Sequence, residues 1–220
     1  MATSTNKLIV RDLGLQEYQP IWQAMQDFTA QRDENTPDEL WCLEHPPVFT
    51  MGLNGKTKHL LNIKNIPVIN IDRGGQVTYH GPGQLVIYTL IDLARLNIGV
   101  KDLVNSIEKA IIILLKQHGI NALGKKGAPG VYVEEKKIAA LGLRIKRNKS
   151  YHGLSLNIDM DLSPFQQINP CGYEGMAVTQ IKNLKYNIDS SKIKLDLIAL
   201  LSKQLGYKKP EIQINSENVI

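Results

Sequence analysis

Apolar residues along this 220-residue chain switch between two periods, and the switches mark out helices and strands. Across 100–118, Val100, Leu103, Val104, Ile107, Ala110, Ile111, Leu114 and Leu115 recur at three- and four-residue spacing. That spacing predicts an amphipathic helix, with Gly119 standing where a C-cap belongs. Ile21, Trp22, Met25 and Phe28 predict another over 18–30, and a last helix is expected over roughly 191–205. Residues 84–92 are mostly β-branched and apolar, the pattern of a strand buried on both faces. From Lys137 onward, Leu141, Leu143 and Ile145 alternate with Gly142, Arg144 and Lys146, so one face is apolar and the other basic. Residues 151–159 alternate in the same way and are expected to pair with that strand. Shorter strands are predicted at 8–11, through Trp41, at 48–52, at 67–71 and at 131–133. Between them lie a polar loop at 33–38, a break at Pro46-Pro47 and a charged turn at Glu134-Glu135-Lys136. No repeat, low-complexity run or linker interrupts the pattern. The predicted fold is α/β (α+β), a single mixed-sheet domain over residues 1–220 with two or three helices packed on it.

Composition narrows the classes of function. Hydrophobic residues make up 43% and charged residues 21%, which suits an ordinary globular protein and leaves little room for long disorder. No run of eighteen apolar residues occurs, and residues 1–7 lack the basic-then-apolar layout of a secretory signal. A soluble, cytoplasmic protein with no membrane partner is therefore expected. The net charge of +5 is spread out, densest at Lys125-Lys126, at 144–149 and in the last third. With no aromatic interleaving and no nucleic-acid signature, this charge fits an acidic protein partner better than nucleic acid.

Two cysteines stand in different contexts. Cys42 lies within Glu39-Leu40-Trp41-Cys42-Leu43, which reads as a buried, inert strand position. Cys171 lies in Asn169-Pro170-Cys171-Gly172-Tyr173, where proline and glycine can present a thiol at the end of a tight turn. Both are read as reduced, and no zinc site or other metal site is expected.

Two glycine-containing segments invite a ligand reading. Gly52-Leu53-Asn54-Gly55-Lys56-Thr57 ends like a phosphate-binding loop but has two residues between its glycines where that loop needs four, so it reads as a turn. Arg73-Gly74-Gly75-Gln76-Val77-Thr78-Tyr79-His80-Gly81-Pro82-Gly83-Gln84 is denser in glycine than a connection between two strands requires. It also lacks the dinucleotide spacing. Glycine lets backbone approach a small ligand closely, Arg73 can anchor the loop, and Thr78, Tyr79 and His80 can line a pocket. A reactive Cys171 needs thiolate, of which an unperturbed thiol supplies only ~3% at pH 7. Lys137, His80 and His152 are the candidate neighbouring cations, and the residues alone do not choose among them.

These segments, with Gly130-Val131-Tyr132-Val133, Lys137-Ile138-Ala139-Ala140-Leu141-Gly142 and His152-Gly153-Leu154-Ser155-Leu156-Asn157, resemble the lipoyl(octanoyl) transferases. The motifs fall in the same order over 73–179, about half the chain, and Glu44-His45-Pro46-Pro47-Val48 adds a weaker match. The resemblance implies a fold like the biotin and lipoate protein ligase catalytic domains. It implies transfer of octanoyl from octanoyl-acyl carrier protein to a lysine of lipoyl domains, through a Cys171 thioester with Lys137 as its partner. It further implies an acyl-binding pocket made of Arg73, Gly74, Gly75, Gln76, Val77, Thr78, Tyr79 and His80, of Ala140, Leu141 and Gly142, and of Gly153, Leu154 and Ser155. The implied acceptors are the E2 subunits of 2-oxoacid dehydrogenases and the glycine cleavage H protein, and no cofactor is expected. Val77, Tyr79, Leu141 and Leu154 are the expected apolar lining. Backbone N–H groups near Gly142 or Cys171 are the expected oxyanion donors. Two other readings stay open: an ATP-dependent ligase of the same fold, and a non-catalytic binding module.

Overall fold

The computed structural model describes residues 7–185, 187–208 and 210–214; the side chains of Cys171 and Ile214 lie outside the description. Eight strands form one mixed sheet: β1 (Leu8–Leu15), β2 (Asp38–Glu44), β6 (Gln84–Leu90), β7 (Leu123–Gly124), β8 (Gly130–Val133), β9 (Lys136–Lys146), β10 (Lys149–Asn157) and β11 (Glu211–Ile214). Their order across the sheet is β11-β1-β2-β6-β10-β9-β8-β7. β1 runs parallel to both its neighbours, and the remaining pairs are antiparallel. A second sheet, order β4-β3-β5, is built from β3 (Val48–Met51), β4 (Val68–Asn70) and β5 (Val77–His80).

Strand alternation explains why the large sheet needs cover on both sides. In β2, Leu40 and Cys42 point to one core while Trp41 and Leu43 point to the other; in β6, Leu85 and Ile87 oppose Val86, Tyr88 and Leu90. The first face is covered by α3 (Val100–Gln117) and α5 (Ser190–Gln204), whose Leu103, Ile107, Ile111, Leu114, Leu197 and Leu201 are fully buried. The second is covered by α1 (Tyr18–Gln31) through Ile21 and Met25. Two four-residue helices, α2 (Leu93–Leu96) and α4 (Ile181–Leu184), complete the set among the described residues. Helix ends follow local chemistry. The Asp102 carboxylate accepts from the Gly99 N–H at 2.9 Å, Asp189 accepts from Lys192 N–H at 3.1 Å, and Gly119 takes φ +76° past the end of α3. Glu134 and Glu135, both at positive φ, form the hairpin turn between β8 and β9.

The predicted helices and long strands agree with these elements, and three differences are informative. The glycine-dense stretch contains a strand, β5, whose four residues the turn-like composition hid. β11 completes the far edge through parallel pairing that no local period announces. Asp38, expected in a loop, opens β2 and is fully buried. Its carboxylate bonds Arg32, equally buried, and accepts from the Tyr207 hydroxyl at 2.6 Å and the Asp92 N–H at 2.7 Å. A charge placed there needs all of those partners. Asp38→Ala leaves the Arg32 guanidinium buried without its counter-charge. Its expected cost is about 3–5 kcal/mol in urea unfolding, and a loss under 1 kcal/mol would contradict the role assigned to this pair.

Candidate active site

Residue by residue, the site begins with β9. Lys137, second residue of that strand, is only 4% exposed. Its Nζ donates to the Pro129 carbonyl at 3.3 Å and stands 5.2 Å from the centroid of the Tyr132 ring, so carbonyl and π density both face the ammonium. Gly130 makes this possible. It takes φ +141°, and a Cβ there would stand 3.0 Å from Lys137 Cε and 2.8 Å from the Ala139 carbonyl.

Lys137 also holds the segment that follows Cys171. Its N–H donates to Ala177 O and its carbonyl accepts from Thr179 N–H, both at 2.9 Å, a parallel bridge across Lys137 and Val178. On the other side, Asn169 N–H donates to His59 O at 2.9 Å. Between these two anchors lies the 3₁₀ turn Pro170–Gly172, packed against β5, with Cys171 at its centre. The Cys171 side chain is outside the described residues, so what is fixed here is the turn. Cys42 by contrast is fully buried in β2, and burial pushes its thiol up to about 12.

Most of the other expected site residues converge on one cavity. Arg73, Gly75, Gln76, Val77, Thr78, His80, Ala140, Leu141, Gly142, Gly153, Leu154 and Ser155 line a narrow inner space of about 50 Å³. Gly75, Leu141 and Gly142 also line an outer cleft of about 310 Å³, together with Gly74, Lys137, Val100 and Tyr173. A small void touching Lys137 and Pro170 shares Thr78, Ala140 and Ser155 with the inner space. Tyr79 lies elsewhere. Thr78 and His80 take the cavity side of β5, and Tyr79 between them turns to the core of the small sheet by strand alternation. Its ring packs 5.5 Å from Phe49 and 5.4 Å from Phe165, centroid to centroid.

The inner end of the cavity is polar, which the sequence reading missed. Tyr18 from α1, Tyr88 from β6 and His152 from β10 join Arg73 and His80 there. Arg73 is anchored by donating to Thr50 O at 2.7 Å, Thr50 Oγ1 at 3.0 Å and Gly74 O at 2.9 Å. His152 sits at φ +60° inside β10, with Nε2 3.0 Å from Asp72 Oδ1. Asp72 also accepts from Tyr151 and, at 2.9 Å, from Trp22 Nε1. Although burial opposes ionisation of Asp72, these hydrogen bonds outweigh it and hold the carboxyl below the usual range. His45, behind the cavity, bonds the Gln16 carbonyl through Nδ1 at 2.6 Å and the Tyr88 hydroxyl through Nε2 at 2.7 Å. Asp72 carried no sequence signal beyond its place next to Arg73; His45 lay in the weakest of the matched segments.

Neither His80 nor His152 is a cation source for a thiolate. Burial first, then the neighbouring His45 ring, lowers His80 to about 3, and burial lowers His152 too. Of the three candidate cations, only Lys137 is built into the frame of the Cys171 turn.

The mixed sheet with α1 on one face and α3 and α5 on the other, beside a small three-stranded sheet, is the fold of the lipoate- and biotin-ligase-like class. The lipoyl protein ligase A/B catalytic domain model matches residues 17–201. An octanoyltransferase of Shewanella halifaxensis is 57% identical over 204 residues, 93% of each chain. One of Azotobacter vinelandii is 57% identical over 199 residues, 90% of this chain and 91% of that one. One of Vibrio vulnificus is 52% identical over 212 residues, 96% and 97% of the two chains. Among solved structures, the putative lipoate protein ligase Ta0514 of T. acidophilum with bound lipoic acid matches with TM-score 0.78 at 13% identity, covering 97% of this chain and 91% of that chain. The biotin protein ligase of Aquifex aeolicus matches with TM-score 0.54 at 12% identity, covering 90% and 68%; at such identities the likeness is one of fold. The chain belongs to the lipoyl protein ligase A/B catalytic domain family.

The buried imidazoles make stability depend on pH. In the unfolded chain each binds a proton near pH 6.5. Folded, His45 waits until about 4 and His80 until about 3. Between those values the unfolded state binds more protons, so stability is full above 6.5 and falls as pH drops toward 4. The expected observation is an unfolding free energy, from urea titration, that falls from pH 7 to pH 4.5, by on the order of 3 kcal/mol for His45 alone. His45→Gln should flatten part of that slope; an unchanged slope would place the titrating groups elsewhere.

Proposed function

We infer that this protein is an acyltransferase that moves an octanoyl group onto a lysine of lipoyl-domain proteins in lipoate biosynthesis. The donor is octanoyl-acyl carrier protein, and the acceptors include E2 subunits of 2-oxoacid dehydrogenases and the glycine cleavage H protein. The reaction takes place in the cytoplasm, and residues 1–220 act as one catalytic domain. Cys171 is the nucleophile. Its thiolate attacks the thioester carbonyl of the donor, forming a C–S bond to the enzyme and releasing the carrier thiol. The acceptor amine then attacks the enzyme thioester, forming the amide and returning the Cys171 thiol. Lys137 faces the thiolate as its counter-charge and takes part in the proton transfers that the amine requires, since free lysine has a pKa of about 10.4. The two pantetheine-type and enzyme thioesters are close in energy, so the first step needs no nucleotide.

The observation that carries this reading is the double hydrogen bond between the Lys137 backbone and the segment at Ala177–Thr179. It ties the cysteine turn to a buried lysine that lines the outer cleft. The narrow inner cavity suits an unbranched chain: seven C–C bonds of about 1.5 Å reach on the order of 9 Å in zigzag. Along β10, Ser155 to His152 covers about 10 Å at 3.3 Å per residue.

Incubation with octanoyl-acyl carrier protein, without ATP or acceptor, should add one octanoyl group, read by intact mass and mapped to Cys171. Cys171→Ser should fold and form no adduct. Acylation that appears only with ATP and free octanoate would assign the chain to the ligases instead. The exposed Arg144 and Lys146, one and three residues beyond Leu143 of the outer cleft, are the proposed dock for the acidic carrier. Lys149, at the end of the same basic run, is committed to the Arg32 carbonyl at 2.6 Å. Arg144→Glu with Lys146→Glu should slow transfer from the carrier about tenfold at low salt. A small octanoyl thioester should be used as before, and equal loss with both donors would refute the dock.

A further inference from the structure

Both half-reactions of the proposed mechanism pass through a tetrahedral oxyanion, and this inference rests on that mechanism. When the thiolate, and later the amine, adds to the carbonyl carbon, the C=O electron pair moves to oxygen; it returns when the leaving sulfur departs. A group that donates a hydrogen bond to that oxygen lowers both barriers. The amides just downstream of the nucleophile are not available for this. Gly172 N–H donates to Asn169 O at 3.0 Å, and Tyr173 N–H donates to Pro170 O at 3.2 Å, both inside the turn.

Gln76 stands where such a donor is needed. Its side chain packs directly on the residue after Cys171: a Cβ added at Gly172 would come within 2.9 Å of Gln76 Cγ, 3.2 Å of Cδ and 3.5 Å of Nε2. Gly172 takes φ +80°, so glycine both permits the turn and leaves room for the glutamine. Gln76 also lines the inner cavity. Its backbone is held by the Gly52 N–H at 3.2 Å, yet its carboxamide oxygen is buried with no partner among the described residues. A buried carboxamide end left unbonded is costly, on the order of 1–3 kcal/mol. A carboxamide turns over about its terminal torsion without changing shape, so either end can face the cavity. With Oε1 buried, the NH₂ end is the one beside Gly172 and presents a donor to whatever enters beside the turn.

We propose that the Gln76 side-chain amide is the oxyanion donor of this site, hydrogen-bonding the thioester oxygen as Cys171 is acylated and again as it is deacylated. Gln76 is therefore a catalytic residue, distinct from the residues that only bound the acyl chain.

The test uses the full chain and two readouts. One is single-turnover acylation by octanoyl-acyl carrier protein, followed by intact mass. The other is alkylation of Cys171 by iodoacetamide, which consumes the thiolate but forms no oxyanion. Gln76→Leu removes the donor, and Gln76→Met removes it at nearly the full side-chain length without adding charge beside the thiolate. Both should acylate about 10²-fold more slowly while alkylation stays within twofold of the unsubstituted chain. Transfer from the preformed acyl-enzyme to a lipoyl domain should slow by a similar factor. Acylation at the original rate in either variant overturns the proposal. A parallel fall in acylation and alkylation also overturns it, since Gln76 would then merely shape the turn. Absence of any adduct on the unsubstituted chain would remove the thioester mechanism itself, whatever the variants do.

Discussion

Two hydrogen bonds on either side of one residue set the geometry of this site. The turn Pro170–Gly172 belongs to no sheet, and three residues of 3₁₀ helix cannot hold a position by themselves. It is placed because Lys137 bonds Ala177 and Thr179 through its backbone while its side chain lies in the wall of the outer cleft. Backbone pairing thus couples two side chains that are thirty-four positions apart in the chain. Lys137 in turn is placed by β9, whose pairing with β10 sets Ala140 opposite Ser155 and Gly142 opposite Gly153. The same register that forms the cavity wall therefore fixes the distance from the cavity to the cysteine turn. A one-residue slip of β9 would turn the cavity residues that β9 contributes, Ala140, Leu141 and Gly142, to the other face, and Lys137 with them.

The polar groups behind the slot follow a consistent logic. Removing imidazoles from water favours their neutral form, and a neutral imidazole has one donor and one acceptor to satisfy. His80 meets this with Gln84 Oε1 at 2.7 Å, and Gln84 passes the connection on to Asn157 at 2.9 Å and thence to the Thr179 carbonyl at 2.9 Å. The chain of bonds thus returns to the segment clipped on Lys137. Such a network is rigid when complete, because each unbonded member would carry a desolvation penalty. The slot is in this way backed by neutral imidazoles, and the Arg73 guanidinium in its lining is fastened to Thr50.

The long periodic segments were legible because burial acts on every turn of α3 and every second residue of β6. β5 was hidden by glycine and proline on both flanks, whose turn chemistry outweighs four residues of strand. β11 depends on a partner at the opposite end of the chain, which no local window contains. The site was legible as a set of motifs but not as a geometry. Tyr79 sat in the densest motif, yet strand alternation turns it away, whereas Tyr18 and Tyr88 reach the cavity, and Asp72 reaches His152 in its wall, from segments that look like plain helix, strand and loop. Composition marks where backbone is unusual; it does not say which side of a strand faces the ligand.

The segment 52–57 shows the same distinction from the side of chemistry. Phosphate-binding loops work by leaving successive backbone N–H groups free to point at an anion. Here Gly52 N–H donates to Gln76 O, Leu53 N–H to Arg73 O at 2.9 Å and Asn54 N–H to Gly75 O, the latter at 3.2 Å. Three amides that a nucleotide would need are spent on bracing the glycine-dense stretch. The same bonds that remove a phosphate cradle from this loop hold Gln76 against the cysteine turn. The backbone of this loop thus serves as scaffold for the glycine-dense stretch and for the cavity that stretch lines.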